Sequence, residues 1–186
     1  MTETEIHNGQ ILIAEPFMMD PHFKKSVVLI CDHSPKDGTV GFILNRVTNV
    51  KIDEVLSDFP ECDSMVYYGG PVGQDTIHYI HRKGDLIENS RLIMPGLYWG
   101  GDFDKIKFYL ENKVLLPMDI KFFVGYSGWT QGQLREELET VSWVVDEMDI
   151  NYAFSNKTDQ LWHLTMHNKG NHFRVLADMS DQIGLN

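Results

Sequence analysis

The sequence is short of cysteine, of long apolar runs and of concentrated positive charge, and each shortage removes a class of protein. Cys31 and Cys62 are the only cysteines and lie far apart, so no disulfide framework carries the fold and a reducing compartment suits the chain. The opening Met1-Thr2-Glu3-Thr4-Glu5 has neither the basic start nor the apolar core of a secretion signal, which gives an expectation of cytoplasmic location. Apolar runs such as Val27-Val28-Leu29-Ile30-Cys31 fall far below the roughly 20 residues that a bilayer-spanning helix needs. Sixteen Lys and Arg stand against 27 Asp and Glu, a net charge of -11 at pH 7. The densest basic stretches are His81-Arg82-Lys83 and Lys24-Lys25. Neither supplies the row of phosphate contacts that drives nucleic-acid affinity, so the charge argues against direct DNA binding.

What is present is ordinary globular material. Hydrophobic residues make up 42% and charged residues 23% of 186 residues, enough for one domain over residues 1–186 to build a core without metal or disulfide. Ile11-Leu12-Ile13-Ala14, stopped by Pro16, reads as a strand, and a loop over 17–25 follows. The β-branched run 27–31 reads as a central strand covered on both faces. The turn chemistry of residues 33–38 joins it to a second strand over 39–44 in an antiparallel hairpin.

Ile52, Val55 and Leu56 mark a short helix, and residues 65–68 and 76–81 mark two strands separated by Gly69-Gly70-Pro71. Asp102 caps a helix running to about Asn112, with Lys113 near its end where a cation suits the dipole. Residues 120–124 form a strand, after which Gly125-Tyr126-Ser127-Gly128-Trp129 is expected to turn the chain into a helix opened by a Thr130/Gln133 capping box. A strand at Trp143-Val144-Val145 and a last helix from Thr158 to about Asn168 complete an α+β domain with a mixed, largely antiparallel sheet and flanking helices.

Several constellations invite chemistry. Ser127 sits in a glycine-flanked segment between a strand and a helix, with Asp146 and His163 following in hydrolase order. The nucleophile elbow, however, requires Gly-x-Ser-x-Gly, and here Gly128 directly follows the serine. Cys31 has His33 two residues on, the same side of an extended strand, but no nearby Lys or Arg to lower its pKa. A hydrolase using Ser127 or Cys31 is therefore the alternative to a non-enzymatic domain. His163 and His167 lie one helical turn apart without the glutamate of HExxH, and no metal or other cofactor is expected from this spacing. The stretch Gly69-Gly70-Pro71-Val72-Gly73 lacks the Lys-Ser/Thr of a P-loop and reads as a tight turn.

Taken together, the blocks Gly9-Gln10-Ile11-Leu12-Ile13-Ala14-x-Pro16, Asp20-Pro21-x-Phe23, Ser26-Val27-Val28-Leu29-Ile30-Cys31-x-His33, Gly38-Thr39-x-Gly41-Phe42-Ile43-Leu44-Asn45-Arg46, Gly69-Gly70-Pro71-Val72 and Gly125-Tyr126-Ser127-Gly128-Trp129-x-x-Gly132-Gln133-Leu134 resemble the bacterial AlgH/YqgE family over nearly the whole chain. The resemblance implies a compact mixed α/β domain without established enzymatic activity, in a family labelled as transcriptional regulators. Where the family usually shows Gln-Leu-Glu, this chain has Gln133-Leu134-Arg135, and the segment from Asp146 onward matches less clearly.

The residues at strand ends and turns within these blocks are Asp20, Phe23, His33, Asn45, Arg46, Gly70, Tyr126 and Trp129. They are expected to converge on one ligand-binding surface serving a small-molecule or protein partner.

Overall fold

The computed structural model describes residues 5–183; residues 1–4 of the opening stretch lie outside them, as do residues 184–186. In chain order the elements are β1 (Gln10–Ala14), β2 (Val27–Ser34), β3 (Gly38–Ile43), β4 (Val47–Lys51), α1 (Ile52–Val55), β5 (Met65–Tyr68), β6 (Val72–His81), β7 (Arg91–Met94) and β8 (Leu97–Trp99). There follow α2 (Phe103–Glu111), a 3₁₀ turn (Pro117–Asp119), β9 (Ile120–Trp129), α3 (Gln133–Glu139), β10 (Trp143–Glu147), α4 (Ile150–Ala153), α5 (Thr158–Lys169) and α6 (Asn171–Gln182). The strands form one sheet in the order β10-β1-β2-β3-β9-β6-β8-β7, with β4 attached through β5. Pairing is antiparallel except between β5 and β9, which run parallel, so the fold is α+β with a mixed, largely antiparallel sheet.

β2 explains why the sheet is covered on both faces. Val27, Val28, Leu29 and Ile30 are fully buried because alternate side chains feed different cores. Val27 and Leu29 join a core under α5 and α6 that contains Trp162, Met166 and Ala177. Val28 and Ile30 point into a second core closed by Trp129, Leu134 and Trp143. A third core, built on Ile52, Val66, Phe122 and Ile106, sits under α2 at the other half of the sheet. The Trp162 indole N–H donates to the Ala14 carbonyl at 2.9 Å, so burying this large ring, a gain of about 3 kcal/mol, leaves no donor unsatisfied.

The hairpin of β2 and β3 pairs Val28 with Ile43 and Ser34 with Gly38, as the Asp37-Gly38 turn implies. Asp102 accepts from the Lys105 N–H and starts α2. At the end of α2 the Lys113 and Val114 N–H groups donate back to Leu110 and Tyr109, which places Lys113 at φ 57°. The same closure ends α3, where Val141 and Ser142 donate to Leu138 and Glu137. This holds Val141, a β-branched residue, at φ 58°, a position that glycine normally occupies.

Three expectations are corrected. The segment expected to turn at residues 125–129 instead prolongs β9 to Trp129, because backbone partners flank it on both sides: Tyr126 faces Val72, while Ser127, Gly128 and Trp129 face Gly41, Val40 and Thr39. The helix after it begins at Gln133, not Thr130, and only half of the capping box forms, with the Gln133 side chain accepting from the Thr130 N–H at 3.0 Å. The helix from Thr158 does not close the domain, since α6 follows after Gly170 and packs beside it. Its inward residues include Ala177 and Ser180, too small to stand out as an apolar periodicity. β4, β7, β8 and α4 are also additional to the sequence reading; the Pro95-Gly96 between β7 and β8 was the turn signal for that hairpin.

Candidate functional site

The loop over 20–25 organises one side of the molecule. Asp20 turns it by accepting the His22 N–H at 2.8 Å, an Asx turn of the kind short acidic side chains favour. Arg46, just beyond β3, donates to the carbonyls of Pro21 at 3.0 Å and Lys24 at 2.9 Å. Asn45 donates to the Lys25 carbonyl and accepts the Val27 N–H, both at 2.9 Å. Lys25, at φ 53°, pairs with Asp181 of α6 at 2.6 Å, and the same carboxylate meets His163 of α5 at 2.8 Å. The loop is thus tied to the sheet by side chains from β3's end and to the helical layer by an ion pair.

An open cleft of about 610 Å³ runs along this rim, lined by His22, Asn45, Arg46, Val47, Tyr68, Gln74, Thr158 and Asp159. His22 Nδ1 lies 3.0 Å from the Tyr68 hydroxyl. Burial pushes the Arg46 guanidinium pKa down, offset in part by Tyr68 and Asp20. Burial likewise raises the Tyr68 phenol, with Arg46 pulling it back and Asp20 adding to the rise. Of the residues singled out in the sequence, Asn45 and Arg46 line this cleft and Asp20 stands within electrostatic reach of Arg46.

The others serve different places. Phe23, from the same loop, stacks on Trp129 at 6.0 Å between ring centroids and meets Trp143 edge-on at 5.3 Å. Both indole N–H groups donate to Oε2 of Glu137, at 2.9 Å and 2.7 Å, so Glu137 pins α3 over this aromatic group. Arg46 and Trp129 accordingly engage one loop, the first through its carbonyls and the second through Phe23, while only Arg46 faces the cleft. His33 sits at the far end of the β2–β3 hairpin with Nδ1 2.7 Å from the Thr39 hydroxyl, and burial lowers its pKa against the pull of Asp32.

Gly70 and Tyr126 belong to a backbone crossing. A Cβ on Gly70, at φ 152°, would stand 2.3 Å from the Tyr126 carbonyl carbon, and one on Gly125, at φ 66°, would stand 2.6 Å from the Gly70 oxygen. The two glycine-rich blocks are main chain packed on main chain, a close approach that only glycine permits. Tyr126 turns its ring edge toward His78 at 5.6 Å. His78 in turn lies against Phe42 and Trp99 and borders a smaller pocket of about 300 Å³ with Arg91 and Asn89; burial lowers its pKa.

Neither proposed nucleophile is presented to a substrate. Ser127 is fully buried and its hydroxyl donates to the Gly69 carbonyl at 2.9 Å. Asp146 bonds Lys169 at 3.1 Å and His163 bonds Asp181, so the hydrolase-order residues each have other partners. Cys31 is 3% exposed, and burial, then Asp32, pushes its thiol well above the usual value, the reverse of an activated thiolate. Among the described residues no three His, Cys, Asp or Glu side chains gather in a metal-holding group; His167 pairs with Asp178 at 3.4 Å. No helix of the described residues is long and apolar enough to cross a membrane.

One buried charge escaped the sequence reading. Lys121 on β9 is 5% exposed, its ammonium donates to the Leu44 carbonyl at 3.2 Å, and it lies 4.0 Å from the centroid of the Tyr67 ring. Burial pulls its pKa down to about 7, although the carbonyl and the ring face both favour the charged form. It anchors Leu44, the residue just before Asn45 and Arg46. A lysine inside the run Ile120-Lys121-Phe122-Phe123-Val124 was the available signal, since a strand covered on both faces leaves no solvent side for it.

The sequence profile of the AlgH-like family matches residues 11–174. The chain belongs to this AlgH-like family. A UPF0301 protein of Chlorobium phaeobacteroides is 38% identical over 182 residues, covering 98% of this chain and 97% of the relative. Another from Chlorobium luteolum is 39% identical over 178 residues, covering 96% and 94%. Among solved structures, the solution structure of the AlgH protein from Pseudomonas aeruginosa is similar with a TM-score of 0.72 and 25% identity, covering 95% of this chain and 96% of that one. A crystal structure of a Corynebacterium diphtheriae protein shares the fold at a TM-score of 0.78. The AlgH-like match spans both the cleft rim and the glycine crossing.

Proposed function

We propose that this AlgH-like chain is a non-enzymatic binding or regulatory domain of the cytoplasm whose partner, a small molecule or a protein segment, occupies the cleft along the 20–25 loop. The observation that carries this reading is the cleft itself. Separate segments, the loop, the end of β3, β5, β6 and the first turn of α5, bring a guanidinium, an imidazole, a phenol, an amide and a carboxylate to one concavity, as a ligand site requires. The buried, bonded states of Ser127 and Cys31 favour binding over nucleophilic catalysis. Any effect on transcription would act through such a partner, because a net charge of -11 opposes direct contact with DNA.

The test is a thermal-shift screen of metabolites and peptides on the wild-type chain and on Gln74→Trp, which fills the cleft from an exposed position on β6. Stabilising compounds lost in the filled variant support the reading. A screen whose hits all persist in Gln74→Trp overturns it. A compound at a hundred times its dissociation constant adds about 2.7 kcal/mol of stability, well within reach of the method.

A further inference from the structure

We infer that the cleft takes a small zwitterion of the α-amino acid class, its carboxylate seated on the first turn of α5 beside Thr158 and Arg46 and its ammonium facing Asp159. This rests on the cleft being a ligand site and names what fills it.

The first turn of α5 is open to an anion. The preceding Lys157 contributes no side-chain cap, and the backbone N–H groups of Thr158 and Asp159 have no partner among the described residues. Such a terminus carries roughly half a positive charge and outward-pointing donors. Thr158 points to a ligand independently. It is 7% exposed, lines the cleft, and its hydroxyl has no hydrogen-bond partner among the described residues. The buried hydroxyls of the same helical pair behave otherwise: Thr165 donates to the Trp162 carbonyl at 2.9 Å and Ser180 to the Ala177 carbonyl at 2.8 Å. A hydroxyl on a side chain this nearly buried, without a protein partner and open to the cleft, is a donor and acceptor available to something that enters it.

Arg46 adds a permanent positive charge to the lining of the same cleft. Its carbonyl contacts use one N–H from each terminal nitrogen, leaving donors of its fork uncommitted. Against these stands Asp159, which has no ion pair or side-chain hydrogen bond among the described residues, together with Asp20 near Arg46. A phosphate monoester, with a charge of about -2, would meet the Asp159 carboxylate in the cleft and the charge of Asp20 behind Arg46. A carboxylate that carries its own ammonium is neutral overall and offers Asp159 the partner it lacks. Such a molecule leaves room in a cleft of about 610 Å³ for its side chain against Val47 and the Tyr68 ring.

The experiment is an NMR titration of the isotopically labelled full chain with L-leucine, L-glutamine, N-acetyl-L-leucine and inorganic phosphate, read at the Thr158 and Asp159 amides. Saturable shifts with leucine or glutamine are expected. Asp159→Asn should weaken the free amino acid about tenfold and leave the N-acetyl derivative unchanged, while Thr158→Val should weaken both. The inference is overturned if neither amino acid moves those amides, if phosphate binds more tightly than both, or if Asp159→Asn leaves their affinity unchanged. Should screening hits be displaced by Gln74→Trp while amino acids fail to bind, the zwitterion falls and the cleft stands; should nothing occupy the cleft, both fall.

Discussion

The cleft rim and the glycine crossing lie close together in the sheet, yet they are held by opposite means. At the rim, the carbonyls of Pro21, Lys24 and Lys25 are held by side chains, Arg46 and Asn45, so the backbone shape depends on a few replaceable groups. At the crossing, Gly70 and Gly125 bring main chain against main chain with no side chain between. The first arrangement leaves polar groups over for a ligand, and the second leaves nothing over. A glycine-rich block in this chain therefore signals architecture, while the polar residues at the end of β3 signal the cleft.

The strongest way to break this contrast is to put a Cβ into the crossing. Gly70→Ala and Gly125→Ala each drive a methyl to within 2.6 Å of backbone atoms, and chemical denaturation should show a loss of about 3 kcal/mol or more. A loss under about 1 kcal/mol would mean that the crossing yields, and that its glycines are not what fixes it.

Lys121, bonded to the Leu44 carbonyl, should act in the other direction. Its folded pKa of about 7 lies below the unfolded value near 10.4, so between those values the unfolded chain binds more protons and stability rises with pH. Below about pH 7 both states are protonated, and the full destabilisation remains. Lys121→Met should therefore be more stable at pH 7, on the order of 3 kcal/mol, and should flatten the rise between about pH 7 and about pH 10 in urea denaturation. An unchanged slope would assign the pH dependence to other groups.

Arg46→Ala tests the rim directly. Losing two charge-assisted contacts to carbonyls should cost about 2 kcal/mol, and hydrogen exchange should accelerate selectively over residues 20–25 while the Gly69–Gly70 segment keeps its protection. Equal acceleration in both places would erase the distinction. The smallest effect is expected at Val141, held at φ 58° and 66% exposed; Val141→Gly should raise stability by about 1 kcal/mol, since glycine adopts this conformation without strain. A loss of stability there would show that the valine side chain makes a contribution larger than its strain.

Much of the scaffold was legible because local chemistry and tertiary packing agree in it. The run 27–31, the Asp37-Gly38 turn and the Asp102 cap each specify one structure, and the structure uses each. The segment 125–129 was misread as a turn because Gly125 looks like one when viewed alone; what extends the chain there is a pair of neighbouring strands, distant in sequence. The candidate site was half legible for the same reason. Asn45 and Arg46 stand out as polar residues ending an apolar strand, and Asp20 as a turn former. Thr158, Asp159 and Gln74 reach the cleft only because the first turn of α5 and the start of β6 come to it from distant parts of the chain, and nothing local to them announces it. Lys121 was visible in the sequence as a charge within a buried run and needed only to be weighed against the strand's coverage.

The pairing of β1 with β10 joins residues such as Gln10 and Glu147, whose side chains bond 137 positions apart, and Trp162 then fastens Ala14 from α5. During synthesis the first strand leaves the ribosome long before either partner exists. A nascent chain halted before Trp143 would display an open apolar strand edge, the template for association between chains. Closure of this domain is an event of its last third, and a chain truncated there forfeits the protection of its very first strand.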